Sequence, residues 1–138
     1  MREDAALAEV RERFAHDRFA TDACGCTVWE AWRGHAVCAF EIGPVHRNAL
    51  GAVMGGAIFT LADFALAVAS NVDDDPAVSV SNTIEFLSST RGTQLIATCD
   101  AEKSGRSLAF YTVIVRDDLG MTVARMSATC YRIQDNRG

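Results

Sequence analysis

No stretch of this chain reaches the roughly 20 uninterrupted apolar residues of a membrane-spanning helix. Residues 57–70 come nearest, with Asp63 in their middle, and that length suits a helix buried in a globular core. An excess of positive charge is missing too. The formal net charge is −5, which argues against a nucleic-acid partner, since such a partner normally demands a basic face, and leaves room for local basic spots. The five cysteines contain no C-x-x-C pair. Cys24 and Cys26, with His35 nearby, offer sulfur and nitrogen ligands, but C-x-C is not the spacing of a structural zinc site, and packed thiols account for both. No metal is expected. The N-terminus, "MREDAALAEVRERFAHDRFA", lacks the apolar stretch of a secretory leader, and the cysteine count is odd. Together these point to a reducing, cytoplasmic setting. Internal repeats and low-complexity segments are missing as well.

What is present is one domain's worth of chain. The 138 residues are read as a single domain, 1–138, with an N-terminal helical segment within 1–20 and a flexible tail at 135–138. A chain of this size buries roughly 68% of its unfolded surface, enough for an ordinary core.

Ala6, Leu7, Val10 and Phe14 recur at helical spacing among charges, which predicts an amphipathic helix over 2–16. "TVWEAW" and "HAVCAFEI", flanking Arg33-Gly34, read as two antiparallel strands around a turn. Gly43, Pro44, Asn48 and Gly51 mark 43–54 as loop. An apolar helix follows over about 56–71, ended by Asn71 and "DDDP". Four more strand-like runs come after Pro76: "AVSVSNTIEFL", "TQLIATCDAEK", "SLAFYTVIVRD" and "MTVARMSATCYRI". Arg91-Gly92, Ser104-Gly105-Arg106 and Asp117–Gly120 read as hairpin-type connections between them. A helix that is apolar nearly all round must be covered nearly all round. The expected fold is therefore α+β, a strongly curved antiparallel sheet wrapped around a long central helix.

The unusual segment is "HRNALGAVMGGAIFTLADFALAVASN", residues 46–71. Amides at a helix start lack intrahelical partners and carry the positive end of the macrodipole. Glycine there lets another molecule reach the bare backbone. The amides of Gly55 and Gly56 are thus suited to hold an oxygen that becomes negative during acyl transfer. Asp63, the one carboxylate in the helix, lies eight residues beyond Gly55, about 12 Å of rise. It reaches a carbonyl held at a helix start only if that start belongs to a second copy lying antiparallel, so the spacing hints at a dimer with composite sites. Purely structural roles stand beside this reading: a carboxylate reaching solvent or capping a loop, and glycines chosen for close packing.

The string Asn48-x-x-Gly51-x-x-Met54-Gly55-Gly56, followed by Phe59-Thr60-Leu61-Ala62-Asp63, resembles the signature of hotdog-fold thioesterases of the phenylacetate-degradation (PaaI-like) group. The likeness extends over nearly the whole chain, including "GRSLAF" at 105–110 and the closing "ATCYRI". The resemblance implies that the Gly55 amide polarises a thioester carbonyl, that Asp63 is general base or nucleophile, and that Asn48 helps place water or the carbonyl. It also implies a strand hydroxyl in support; Ser79 is the best match, with Ser81 two residues on and expected on the same face. Where the family carries histidine before Gly-Gly, this chain has Met54, which keeps the volume and tolerates an acyl chain or sulfur but makes no imidazole hydrogen bond. His46 lies outside the matching position and is read as a loop histidine.

Coenzyme A carries phosphates that an acidic protein must meet with local cations or turn amides. Lys103, Gly105 and Arg106 in one turn, and Arg91 in another, are the candidates, against the plain alternative of exposed basic turns. Phe59, Phe64 and Leu66 are expected along an acyl pocket between subunits, and Trp29, Trp32 and Phe40 either shape it or belong to the core. The resulting expectation is an acyl-CoA thioesterase with no cofactor beyond its substrate, working as a homodimer or a dimer of dimers. The alternative is a non-catalytic acyl-CoA-binding domain, for which Met54 speaks. A hotdog dehydratase or hydratase is disfavoured because the central helix contains no histidine.

Overall fold

Strand runs rich in β-branched side chains and one long apolar helix leave the chain a single economical solution, the sheet closing around the helix. The computed structural model describes residues 2–133, with side chains from residue 6 onward; the tail expected at 135–138 lies outside the described residues. The elements are α1 (Arg2–Phe14), β1 (Thr27–Trp32), β2 (His35–Glu41), α2 (Gly55–Asn71), β3 (Ala77–Phe86), β4 (Gln94–Ser104), β5 (Leu108–Asp117) and β6 (Thr122–Arg132). Two short turns escaped the sequence pattern. A π-helical turn, Phe19–Ala23, is closed by Cys24 N–H donating to Phe19 O at 3.1 Å, and Pro44–His46 form a 3-10 turn inside the expected loop. Among the described residues no helix is long and apolar enough to cross a membrane.

The six strands form one antiparallel sheet in the order β1-β2-β4-β5-β6-β3. Against it α2 buries Leu61, Ala62, Ala65, Leu66 and Val68, which meet Leu95, Val113, Val123 and Met126 of the strands in one core. Each such large aliphatic side chain contributes about 1.5–3 kcal/mol. The cover is incomplete: Phe59, Thr60, Asp63, Ala67 and Asn71 recur every three to four residues and stay only part-buried. These positions form one stripe along the helix, and Asp63 sits in its middle. The C-terminal end of α2 is held by the buried Arg132 of β6, which donates to Ser70 O at 3.3 Å and Ser104 Oγ at 2.9 Å and pairs with Asp74 at 3.1 Å.

The strand order corrects one expectation. Arg91-Gly92 is not a hairpin turn, because β3 pairs with β6 at the sheet edge and β4 lies between β2 and β5. Residues 87–93 instead cross over β6 and β5, a lateral step of roughly 14 Å at 4.8 Å per strand. The crossover is pinned by two acids at the β5–β6 connection. Asp117, buried, accepts from Thr90 Oγ1 (2.9 Å) and from the N–H groups of Arg91 (3.3 Å), Leu119 (3.0 Å) and Met121 (2.9 Å). Asp118 accepts from Thr93 N–H (2.8 Å) and Gln94 N–H (3.2 Å). A side chain at Gly92 would collide with Asp118 Oδ1, so glycine is required there by space.

Burial alone would push the Asp117 carboxyl up, but the four donors outweigh it and hold its pKa below the ordinary carboxylate value of 3.8. A depressed native pKa adds stability that is present above the unfolded value and lost as pH falls through the native one. Asp117→Ala, which strands several donors, is expected to lower stability by about 3 kcal/mol near neutral pH. That deficit should shrink as the pH falls through the depressed native pKa, below the ordinary carboxylate value of 3.8, as urea melts at neutral and at acid pH would show.

Candidate active site

The start of α2 is left open by its own sequence. Met54 occupies the N-cap in extended conformation (φ −63°, ψ 140°) and makes no side-chain cap hydrogen bond. A Ser, Thr, Asp or Asn there would have spent its oxygen on the first amides. Among the described residues, neither the Gly55 nor the Gly56 N–H has an acceptor, and both residues are exposed. The loop that delivers them is rigidly built. His46, 4% exposed, stacks on Phe40 (centroids 4.0 Å apart), accepts from Gly43 N–H through Nδ1 (2.9 Å) and donates through Nε2 to Cys24 O (2.7 Å). Its own carbonyl accepts Met54 N–H at 2.8 Å. His46 is a loop histidine, as expected, and it is also a buried pin of the loop that places the helix start.

Asn48 is exposed, and its Oδ1 accepts from Leu50 N–H (3.0 Å) and Ala52 N–H (3.1 Å), shaping the turn ahead of the glycines. The crossover supplies the opposite wall. The Phe86 ring lies so close to Gly55 that a Cβ there would meet it at 3.1 Å. A cleft of about 550 Å³ runs between Gly55, Ile58 and Arg47 on one side and Phe86 to Thr90 on the other.

Asp63 opens onto two further hollows. One, of about 340 Å³, has Asp17, Phe19, Phe59 and Thr60 in its walls; the other, of about 260 Å³, has Ser79, Leu66, Asn71 and Cys130. Burial raises the pKa of Asp63 above the ordinary carboxylate value, and the nearby Asp17 raises it further. The consequence is a carboxylate that is poorly solvated and therefore a stronger base than one in water.

The structure brings Asp63 and Ser79 into one hollow, but separates Ser81 from them. A bulge at Val80 puts Ser79 opposite Cys130 and Ser81 opposite Thr129. Cys130 is buried beneath α2 and its neighbour Thr129 points the other way, so the bulge shifts the two-residue alternation and Ser81 faces outward. The expectation that both serines share a face is corrected. In its place, Asn82 shares the inner face, donating Nδ2–H to Ser79 Oγ at 3.4 Å. Nothing in the sequence signalled this, because a bulge of one residue has no compositional mark.

The basic candidates fall at opposite ends. Arg91 precedes β4, while Lys103, Gly105 and Arg106 belong to the β4–β5 hairpin closed by Gly105 N–H to Leu108 O at 2.8 Å. The ten steps of β4 put roughly 33 Å between those ends. Arg91, Lys103 and Arg106 are all exposed. Of the expected acyl-pocket residues, Phe59 is part-buried and walls a hollow beside Asp63, whereas Phe64 and Leu66 are core residues that show only an edge. Phe40 is core, but Trp29 and Trp32 are exposed, Trp32 stacking on His35 at 4.1 Å. His35 itself is engaged by Asp100 (2.6 Å) and Glu30 (2.9 Å). The thiols of Cys24 and Cys26 are buried and raised by that burial, Cys26 to about 12; both are neutral packed groups.

Comparison with known proteins identifies the family and the fold. The family model described as "Thioesterase superfamily" matches residues 50–124. The acyl-coenzyme A thioesterase PaaI of Escherichia coli is 30% identical over 124 residues, 86% of this chain and 89% of that protein. The solved structure of the E. coli PaaI protein superposes with a TM-score of 0.81 at 26% identity, covering 93% of this chain and 96% of that one. Zebra fish thioesterase superfamily member 2 superposes at 0.80 with 27% identity, covering 92% and 98%.

Proposed function

This chain belongs to the thioesterase superfamily and is a hotdog-fold thioesterase of the PaaI-like group, and from that premise we propose that it hydrolyses an acyl-CoA thioester at a site shared between two antiparallel copies. The observation that carries the reading is the pairing of features on α2. Its one acid occupies the one stripe the sheet leaves uncovered, and its first amides are uncapped and exposed.

In the proposed reaction the thioester carbonyl oxygen accepts from the Gly55 N–H of one copy. Asp63 of the other copy takes a proton from a water whose oxygen attacks the carbonyl carbon. The carbonyl π electrons move onto the oxygen facing Gly55, where the amide and the helix dipole stabilise them. On collapse the carbon–sulfur bond breaks, the coenzyme A thiolate leaves, and the proton held by Asp63 passes to it, giving the free acid and the thiol. The scheme consumes only water and requires no cofactor. Ser79 and Asn48 assist placement of water and carbonyl, Met54 and Gly56 line the approach, and Arg91, or Lys103 and Arg106 around Gly105, meet the coenzyme A phosphates.

Two features support the shared site. Gly55 and Asp63 are about 12 Å apart along one helix, too far to serve one carbonyl. Strand β3 is a sheet edge whose side chains are exposed nearly throughout, Val78, Val80 and Phe86 among them, and such an edge invites a partner. The five free, buried thiols support a reducing compartment such as the cytoplasm.

A free-thiol assay with short, long and aromatic acyl-CoA substrates tests the proposal. Turnover is expected with at least one acyl class. Tight binding without thiol release would favour instead a binding domain, the reading Met54 supports. Because burial and Asp17 raise Asp63, the base is lost on the acid side at a higher pH than for an ordinary carboxylate. The acid limb of kcat/KM should therefore lie above pH 4 or so.

A further inference from the structure

The polar group on the inner face of β3 that the proposed mechanism leaves unused is Asn82. It pairs with Ala128 of β6, between the pairs Ser79–Cys130 and Ile84–Met126, and these three β6 partners are buried beneath α2. Its carboxamide is divided in an unusual way. Nδ2 donates to Ser79 Oγ at 3.4 Å, whereas Oδ1 is fully shielded from solvent and, among the described residues, has no donor. Turning the amide plane over would bury an unmatched NH2 with two donors in place of one unmatched acceptor, so the orientation with Nδ2–H on Ser79 is the favoured one. An orphaned buried acceptor destabilises a fold by about 1–3 kcal/mol, and an apolar side chain opposite Ala128 would avoid that penalty. What the carboxamide does at this position is engage its one partner, Ser79.

Ser79, Asp63 and Cys130 border the same hollow, and Cys130 lies directly opposite Ser79. A hydroxyl has a single proton and a free rotor. When Asn82 Nδ2–H occupies a lone pair of Ser79 Oγ, the serine proton is directed elsewhere, and the open side is the hollow it shares with Asp63. We infer that Asn82 is a positioning residue for the hydrolysis, setting the Ser79 hydroxyl as a donor into the Asp63 hollow, where it orients the attacking water or the carboxylate that deprotonates it. This rests on the reading of Asp63 as the base.

The test is thiol-release kinetics and thermal melting on Asn82→Leu, Asn82→Ala, Ser79→Ala and the Ser79→Ala/Asn82→Leu double variant, with Asp63→Asn in the same assay. Asn82→Leu is expected to melt higher than the parent, since the orphan is removed, and to lose about tenfold in kcat with KM within about twofold. Asn82→Ala, which adds no bulk, should show the same kcat loss. The double variant should be no slower than Ser79→Ala alone, because the asparagine acts only through the serine. A purely structural asparagine would change melting but leave kcat intact. Full-speed Asn82 variants, a full-speed Ser79→Ala, or losses that multiply in the double variant each overturn the inference. If Asp63→Asn is inactive while the Asn82 variants keep full speed, only this inference fails; if Asp63→Asn keeps full speed, the base assignment fails first.

Discussion

Asp63→Asn is expected to reduce kcat by about 10³-fold while making the protein more stable at neutral pH. The rate loss follows from removing the proposed general base, a role worth roughly 10² to 10⁴. The gain in stability follows from the environment that makes Asp63 a base. Its carboxylate is partly stripped of water and faces Asp17, so its native pKa is raised. A group whose native pKa exceeds its unfolded value is unfavourable to folding in its ionised form. That penalty is absent while both states are protonated, builds as the pH rises past the unfolded value, and is complete above the raised native value. Asparagine has nearly the same shape and no charge. The variant should therefore melt above the parent at about pH 8 and together with it at about pH 3. Thiol release and thermal melts on one preparation check both halves. Unchanged hydrolysis would remove the base, and an unchanged melting difference across pH would remove the electrostatic account.

The second large effect is complementation between inactive proteins. Gly55→Pro deletes the amide held responsible for polarising the carbonyl. Proline suits the first helical position, and Met54 is already in the extended conformation that a residue before proline requires. The Phe86 ring must yield by a few tenths of an ångström. Losing one such donor lowers kcat by about 10² to 10³, and Asp63→Asn is inactive for its own reason. In a dimer made of one chain of each kind, one site receives both defects and the other receives neither. Random pairing of equal amounts should thus return roughly a quarter of the parental activity, from two proteins that have almost none alone. Sites built within a single chain would give no recovery, because every site would carry a defect. Sizing by light scattering on the same mixture checks that dimers are present.

Much of this was written in local pattern. The six strands and α2 lie within a few residues of where alternation and helical spacing put them, because those periods depend only on which side chains neighbour each other along the chain. The helix start at Gly55-Gly56 and the isolated acid at Asp63 were equally visible. The errors concern pairing and phase. Arg91-Gly92 looked like a hairpin turn because its residues are turn formers, yet β3 reaches β6 and β4 is approached by a crossover held on Asp117 and Asp118. Ser79 and Ser81 looked coplanar because the two-residue repeat was carried through Val80, where the bulge interrupts it. That the loop histidine His46 is buried and stacked was not legible, because its partners, Phe40 and Cys24, precede it by 6 and 22 residues in sequence.

By itself, then, the sequence determined the inventory: a greasy helix with one acid, a glycine start that nothing caps, and strands enough to wrap it. Tertiary structure decided which groups meet. It exposed one stripe of α2 and so left Asp63 in a hollow, turned Ser79 inward with Asn82 and Ser81 outward, and laid the crossover against the open amides of Gly55. The physical reason is that composition and periodicity are properties of neighbours along the chain, whereas desolvation, hydrogen-bond partners and strand phase depend on residues brought together only when the sheet closes.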